Sequence, residues 1–297
     1  MHLHAYPADA QGPPPVVVCA PYEEMPVRYT RWDAMAYAGA TFKAVHCRHP
    51  VWSSRDDASL QAESLAMLKK YNIRAVTSGP APFVQRYQAA APDRIIPGLE
   101  FGGDTMPRLD TLRALHKAGH LAVLGEITTQ YDGISPSDPK LEPYWKLAEE
   151  LDIPVGIHIG PGPPGAAYLG LTKYRMALSD PLLLEDVLVR HPHLRLYVMH
   201  AGWPNADRMI ALLYAHPQVY VDTAVIDFTQ PKTEFQGYLR RLVEAGYGRR
   251  IMFGSDQMVW PGAIPAAIAS ITSASFLTPQ QKRDILHDNA ARFLRLN

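Results

Sequence analysis

Short apolar, β-branched runs recur along the chain at 73–77 (IRAVT), 95–101 (IIPGLEF), 121–127 (LAVLGEI), 153–159 (IPVGIHI), 194–200 (LRLYVMH), 219–223 (VYVDT) and 250–254 (RIMFG). Glycine, proline or a charged residue bounds each one. Most lack the apolar–polar alternation of a half-exposed strand. Strands buried on both faces of a parallel sheet read this way. Helical stretches lie between the runs. The stretch 57–71 opens on Asp57 and closes on Lys69 and Lys70, the polarity that a helix dipole favours. The stretches 109–118, 143–151, 182–190, 205–215, 234–245 and 262–274 are further predicted helices, and 279–296 reads as one or two closing helices.

Strand then helix, repeated, means parallel strands joined by crossover helices. Seven runs plus the N-terminal HLH make eight strands. Eight such units in 297 residues match a (β/α)₈ TIM barrel, here with an incomplete first strand, because Met1 stands directly before His2. A doubly wound sheet would usually show a glycine-rich turn after its first strand, and none is found. No composition shift marks a boundary, so residues 1–297 are expected to form a single domain. The segments 12–15 and 160–165 (GPGPPG) read as loops. Prolines remove the amide donors a phosphate cradle needs, so the second is better read as a lid or pocket wall.

Composition narrows the partners. Lys plus Arg and Asp plus Glu each number 29, so the chain is formally neutral. It has no global field to hold nucleic acid or an anionic membrane, and no apolar run approaches the ~18 residues of a membrane span. A small-molecule substrate is the expected partner, with a homodimer as the commonest oligomer. Cys19 and Cys47 allow one bridge but no disulfide framework or zinc knuckle. The default location is cytoplasmic. A secreted or periplasmic one stays open, because the N-terminus looks trimmed.

Candidate chemistry falls at the ends of the strand runs. His4 closes the HLH, and Glu126, His158 and His200 lie near the ends of the fourth, fifth and sixth strands. Asp256 lies just past the eighth. Each interval spans one or two βα units, so a barrel brings all five to one rim. His2 and His4, two apart, would share one side of a strand. Imidazole with carboxylate suits zinc first, with manganese or iron as alternatives, as one or two ions. An open coordination position would lower the pKa of a water toward ~7, and Asp256 could carry its proton to a leaving group. Singly, each residue is more often a core hydrogen-bonding group, an ion-pair partner or a helix cap. Jointly the five coincide too well for that. Tyr131, Tyr168, Trp203, Gln257 and Trp260, in loops after the strands, are candidate substrate contacts. Asp222 reads as a supporting or structural group. His116, His120, His191, His193, His216 and His287 are expected at the surface or as caps.

The HLH start, GEI around Glu126, VGIHIG around His158, VMHAGW around His200, FGSD ending at Asp256 and the tail DNAARFL together resemble the amidohydrolase superfamily. The resemblance is to its amidohydrolase-related (type 2) branch, and it covers essentially the whole chain. It implies a metal-dependent barrel enzyme in which His2, His4 and His158 are metal ligands and Asp256 is ligand and base. His200 would bind a second metal or polarise the substrate. Relatives hydrolyse amides, lactones and other esters, and some decarboxylate aromatic or related acids without oxidation. Decarboxylase relatives usually lack a carboxylate ligand on strand four, whereas Glu126 looks like the bridging carboxylate of TatD-like hydrolases. The expected activity is therefore metal-dependent hydrolysis, with non-oxidative decarboxylation as the alternative.

Overall fold

A computed structural model describes residues 1–26, 34–43 and 45–296. Among these residues ten strands follow in chain order. They are β1 (His2–His4), β2 (Val17–Cys19), β3 (Pro50–Trp52), β4 (Ala75–Ser78), β5 (Ile95–Phe101), β6 (Val123–Ile127), β7 (Val155–His158), β8 (Leu196–Met199), β9 (Tyr220–Asp222) and β10 (Ile251–Met252). Eight of them form one sheet in the order β1-β4-β5-β6-β7-β8-β9-β10, each hydrogen-bonded pair parallel. The architecture is a (β/α)₈ barrel. β1 is short and lies at an edge of the sheet, opposite β10. Two bonds stitch that seam, for the amides of Ser255 and Asp256 both donate to the carbonyl of His2, each at 3.0 Å. Gly254 permits the close approach. A Cβ there would lie 2.9 Å from the Cβ of Ala224 and 3.2 Å from that of His2.

Seven apolar runs therefore become barrel strands, two to seven residues long, and the intervening patterns become helices. Helix Asp57–Lys70 starts on a side-chain cap, Asp56 accepting from the amide of Ser59. Helices Ala34–Phe42 and Ala81–Ala90 carry no periodic signal strong enough to predict them. The long excursion between β1 and β4 also holds an unpredicted antiparallel pair, β2 with β3. A disulfide between Cys19 and Cys47 ties this excursion together. It docks on the loop after β10, where the Trp260 indole donates to the carbonyl of Val16.

The main core lies between the sheet and its helices, with Trp145 and Phe235 among its largest buried side chains. A smaller cluster, including Val76, Val123, Tyr197, Met199 and Met252, takes in Phe293 from the closing helix. The Phe293 ring centroid lies 5.5 Å from that of Tyr197 and 4.8 Å from that of Tyr220. Asn289 anchors the same helix by donating to the carbonyls of Gly248 and Ile251. The DNAARFL tail thus caps the barrel end in its own right. His191 and His216 are C-caps, as expected, of the helices Glu185–Arg190 and Ala206–Ala215. Both are nonetheless buried, and His191 is bracketed at 2.9 and 3.0 Å by Glu142 and Glu149.

Candidate metal centre

Strand periodicity builds the first part of the site. His2 and His4 project from the same face of β1, and both are buried. Glu126 comes from the end of β6 and His158 from the end of β7. His200 directly follows β8, and Asp256 lies in the loop after β10. All six are at most 5% exposed. The structure brings these residues, up to 254 positions apart, into one cluster.

Glu126 sits at its centre. Its Oε2 lies 3.0 Å from His4 Nε2 and 3.7 Å from His2 Nε2. Its Oε1 lies 2.6 Å from His158 Nδ1 and 3.2 Å from His200 Nε2. His4 Nε2 is also 2.8 Å from Asp256 Oδ1. One carboxylate thus faces two donor groups, His2–His4–Asp256 on one side and His158–His200 on the other.

Two of the donors stand on strained backbone. His200 and Asp256 hold φ of 60° and 48°, in the left-handed region that non-glycine residues seldom adopt. Such positions cost on the order of 1–3 kcal/mol each and cluster at working sites. Asp222 supports this turn, its Oδ1 accepting from the amides of His200 and Ala224 at 3.0 and 3.1 Å.

The tautomer of His200 follows from its surroundings. Its Nδ1 lies 2.9 Å from the carbonyl of Ala224, which can only accept, so Nδ1 carries the proton. The Nε2 then faces His158 Nδ1 at 2.8 Å and Glu126. Burial would lower the His200 pKa, but Glu126, Asp256 and Asp222 outweigh it and raise the group to about 9. Burial likewise opposes a charged His4, and Asp256 with Glu100 overcomes it and holds its pKa well above the ordinary value. Burial, reinforced by the neighbouring imidazoles, pushes His2 down to about 4 and lowers His158. Burial works against the Glu126 carboxylate, yet contacts from His158, His200 and His4 hold it well below the ordinary range. Asp222 is pushed up to about 7 by burial.

The donor set fits a divalent cation. Both ring nitrogens of His2, Nε2 of His158 and Oδ1 of Asp256 are buried with no hydrogen-bond partner. Buried polar atoms are normally satisfied. Two imidazoles with two carboxylates in the first group, and two imidazoles with one carboxylate in the second, each set with its ligand atoms within 4.8 Å of one another, are the ligand types that zinc, manganese or iron take.

A cleft of about 1640 Å³ opens onto this cluster. Tyr131, Tyr168, Trp203 and Trp260 line it, as does the loop 161–165 of the GPGPPG segment. Gln257 does not. It is fully buried behind β1, its amide 3.4 Å from the carbonyl of His4 and from Ser64 Oγ. Position just after Asp256 put it among the candidates, but the left-handed turn at Asp256 faces it away from the cleft. Two residues escaped the sequence reading, Glu100 and Tyr6. Glu100 is the one charged position in the run IIPGLEF. A charge inside a buried strand is itself a signal of a site.

Comparison with known proteins agrees with the fold. The sequence profile of the amidohydrolase family matches residues 88–296. No curated protein matches the sequence significantly. Among solved structures, an uncharacterized TIM-barrel protein from Bordetella bronchiseptica superposes with a TM-score of 0.59 at 18% identity, covering 78% of this chain and 81% of its own. A probable 2-pyrone-4,6-dicarboxylic acid hydrolase from Acinetobacter baumannii gives 0.59 at 15% identity, covering 84% and 92%. A 5-carboxyvanillate decarboxylase from Sphingomonas paucimobilis gives 0.55 at 16%, covering 78% and 82%. At these identities the likeness is one of fold. The chain belongs to the amidohydrolase family.

Proposed function

We propose that the protein is a metal-dependent hydrolase acting on the carbonyl of an amide, ester or lactone, with the whole chain as one catalytic domain. The observation that carries this reading is the position of Glu126 between two donor groups. His2, His4, Glu126 and Asp256 would hold one divalent ion, zinc by first expectation, and Glu126, His158 and His200 a second. A bound ion there supplies Lewis acidity and makes water a better nucleophile at neutral pH.

The chain's own residues do the rest. Asp256 Oδ1, buried 2.8 Å from His4 Nε2, is placed to accept a proton from the attacking water and return it to the leaving group. The bond from His200 Nδ1 to the carbonyl of Ala224 locks that ring with Nε2 toward Glu126 and His158. Tyr131, whose ring lies 4.9 Å from that of His158, together with Tyr168, Trp203 and Trp260, offers apolar faces to hold a substrate and exclude water.

Non-oxidative decarboxylation of an aromatic acid is the second reading. The likeness to a 5-carboxyvanillate decarboxylase favours it, while the likeness to a 2-pyrone-4,6-dicarboxylic acid hydrolase favours the first. One experiment separates them. Protein purified without chelator is assayed for bound metal, then screened against lactones, esters and amides, and against aromatic acids with carbon dioxide detection. Hydrolysis that chelator abolishes and metal restores is the expected result. Full turnover by metal-free protein overturns both readings, and metal-dependent carbon dioxide release replaces the first with the second.

A further inference from the structure

The alternation that puts His2 and His4 on one face of the chain continues to Tyr6. Its ring stacks on His4, with centroids 4.4 Å apart and planes 14° from parallel. Its hydroxyl donates to Glu100 Oε2 at 2.5 Å. The same oxygen lies 3.1 Å from His4 Nδ1. On its other edge, His4 presents Nε2 to Glu126 and Asp256, at 3.0 and 2.8 Å.

We propose that Glu100 and Tyr6 act as positioning residues for the candidate metal centre, fixing both the ring angle and the tautomer of His4. The proposal rests on the metal-site reading above. A neutral imidazole carries one N–H and one lone pair. A carboxylate beside Nδ1 holds the proton there, which leaves the Nε2 lone pair for a cation. Ligating histidines commonly depend on such an outer carboxylate, and losing it typically weakens metal affinity 10- to 100-fold. Glu100 is about one-fifth exposed, so its side chain would be free to swing into solvent without a second tie. The Tyr6 hydroxyl supplies that tie, and its ring blocks rotation of His4 from one side. The contact between Glu100 and Nδ1 lies off the axis of a well-formed hydrogen bond, so the stack and the tyrosine bond share the work of orientation.

The test is binding of Co²⁺ to the full-length, metal-free protein, followed by calorimetry and by the visible absorption of the bound ion. Glu100→Gln is expected to lose 10- to 100-fold in affinity and to alter the absorption envelope. Tyr6→Phe should lose about 3- to 10-fold, the worth of one hydrogen bond. Thermal melts of the metal-free variants show whether each is folded. Wild-type affinity and spectrum in a folded Glu100→Gln variant overturn the proposal. If Glu100→Gln does not fold, Tyr6→Phe decides by the same two readouts. Wild-type protein that binds no Co²⁺ removes the metal-site reading and this proposal with it, whereas normal binding by every variant removes the proposal alone.

Discussion

Replacing Glu126 with glutamine probes the centre most directly, because that carboxylate touches four imidazoles at 2.6–3.7 Å. Its worth can be sized from His200. The acids around this residue lift its pKa from an ordinary 6.5 to about 9 against the pull of burial. That rise corresponds to roughly 3 kcal/mol favouring positive charge at that ring. Glu126 is the foremost of those acids. A divalent ion in place of the proton carries twice the charge, so the same carboxylate should favour it by no less. About 3 kcal/mol is two orders of magnitude in a dissociation constant. Glutamine keeps the shape and one acceptor oxygen but removes the charge. Glu126→Gln should therefore weaken metal binding at least 100-fold and lower the number of ions retained per chain. Elemental analysis after dialysis and calorimetric titration measure both quantities. Unchanged stoichiometry and affinity in a folded variant would refute the idea that this carboxylate joins the two donor groups.

Three further outcomes are expected. Metal binding should release protons, because His4 and His200 are held above their ordinary pKa values and must deprotonate to ligate. Apparent affinity should then climb as pH rises toward about 9, and titrations in buffers of different ionisation enthalpy will detect the protons. Asp222 has a folded pKa of about 7 against 3.8, so the folded state holds its proton more tightly, and this group lowers stability as pH rises between those values. Above that window the buried charge costs about 4 kcal/mol. In urea melts, metal-free Asp222→Asn should gain on the wild type between pH 4 and pH 8, and parallel pH profiles would contradict this. Finally, the Cys19–Cys47 bridge closes a loop of 28-residue separation, a constraint of about 3.5 kcal/mol in the chain-entropy view. Cys47→Ser should lower the melting temperature by several degrees and make it insensitive to reductant.

The barrel strands were legible because strands covered on both faces must be apolar throughout, and 95–101 or 153–159 can be read as little else. The β2–β3 pair was not. Each strand is three residues long, and β3 opens on Pro50 with two of its three side chains exposed. Its pairing follows from tertiary docking rather than local pattern. The helix Ala81–Ala90 was hidden by Pro82 in its first turn and by only two buried side chains. For five of the six candidate donors, spacing by whole βα units was the signal, since a repeated architecture turns sequence position into spatial position, and His2 joined them through the two-residue period it shares with His4. Gln257 shows where that logic stops. Adjacency to a donor says nothing about direction once the backbone turns left-handed. Tyr6 lies one turn of the pleat beyond His4, past the last strand residue, and only the fold shows that it still faces the same way.

The stitch between the carbonyl of His2 and the amides of Ser255 and Asp256 has an implication for assembly. Two donors of the proposed centre belong to opposite margins of a sheet that must curl fully before they meet. A partly formed molecule with every helix present but the margins apart would have no nest for the ion. Metal uptake during refolding should therefore trail the recovery of helical circular dichroism, and it would time the moment at which the cylinder shuts.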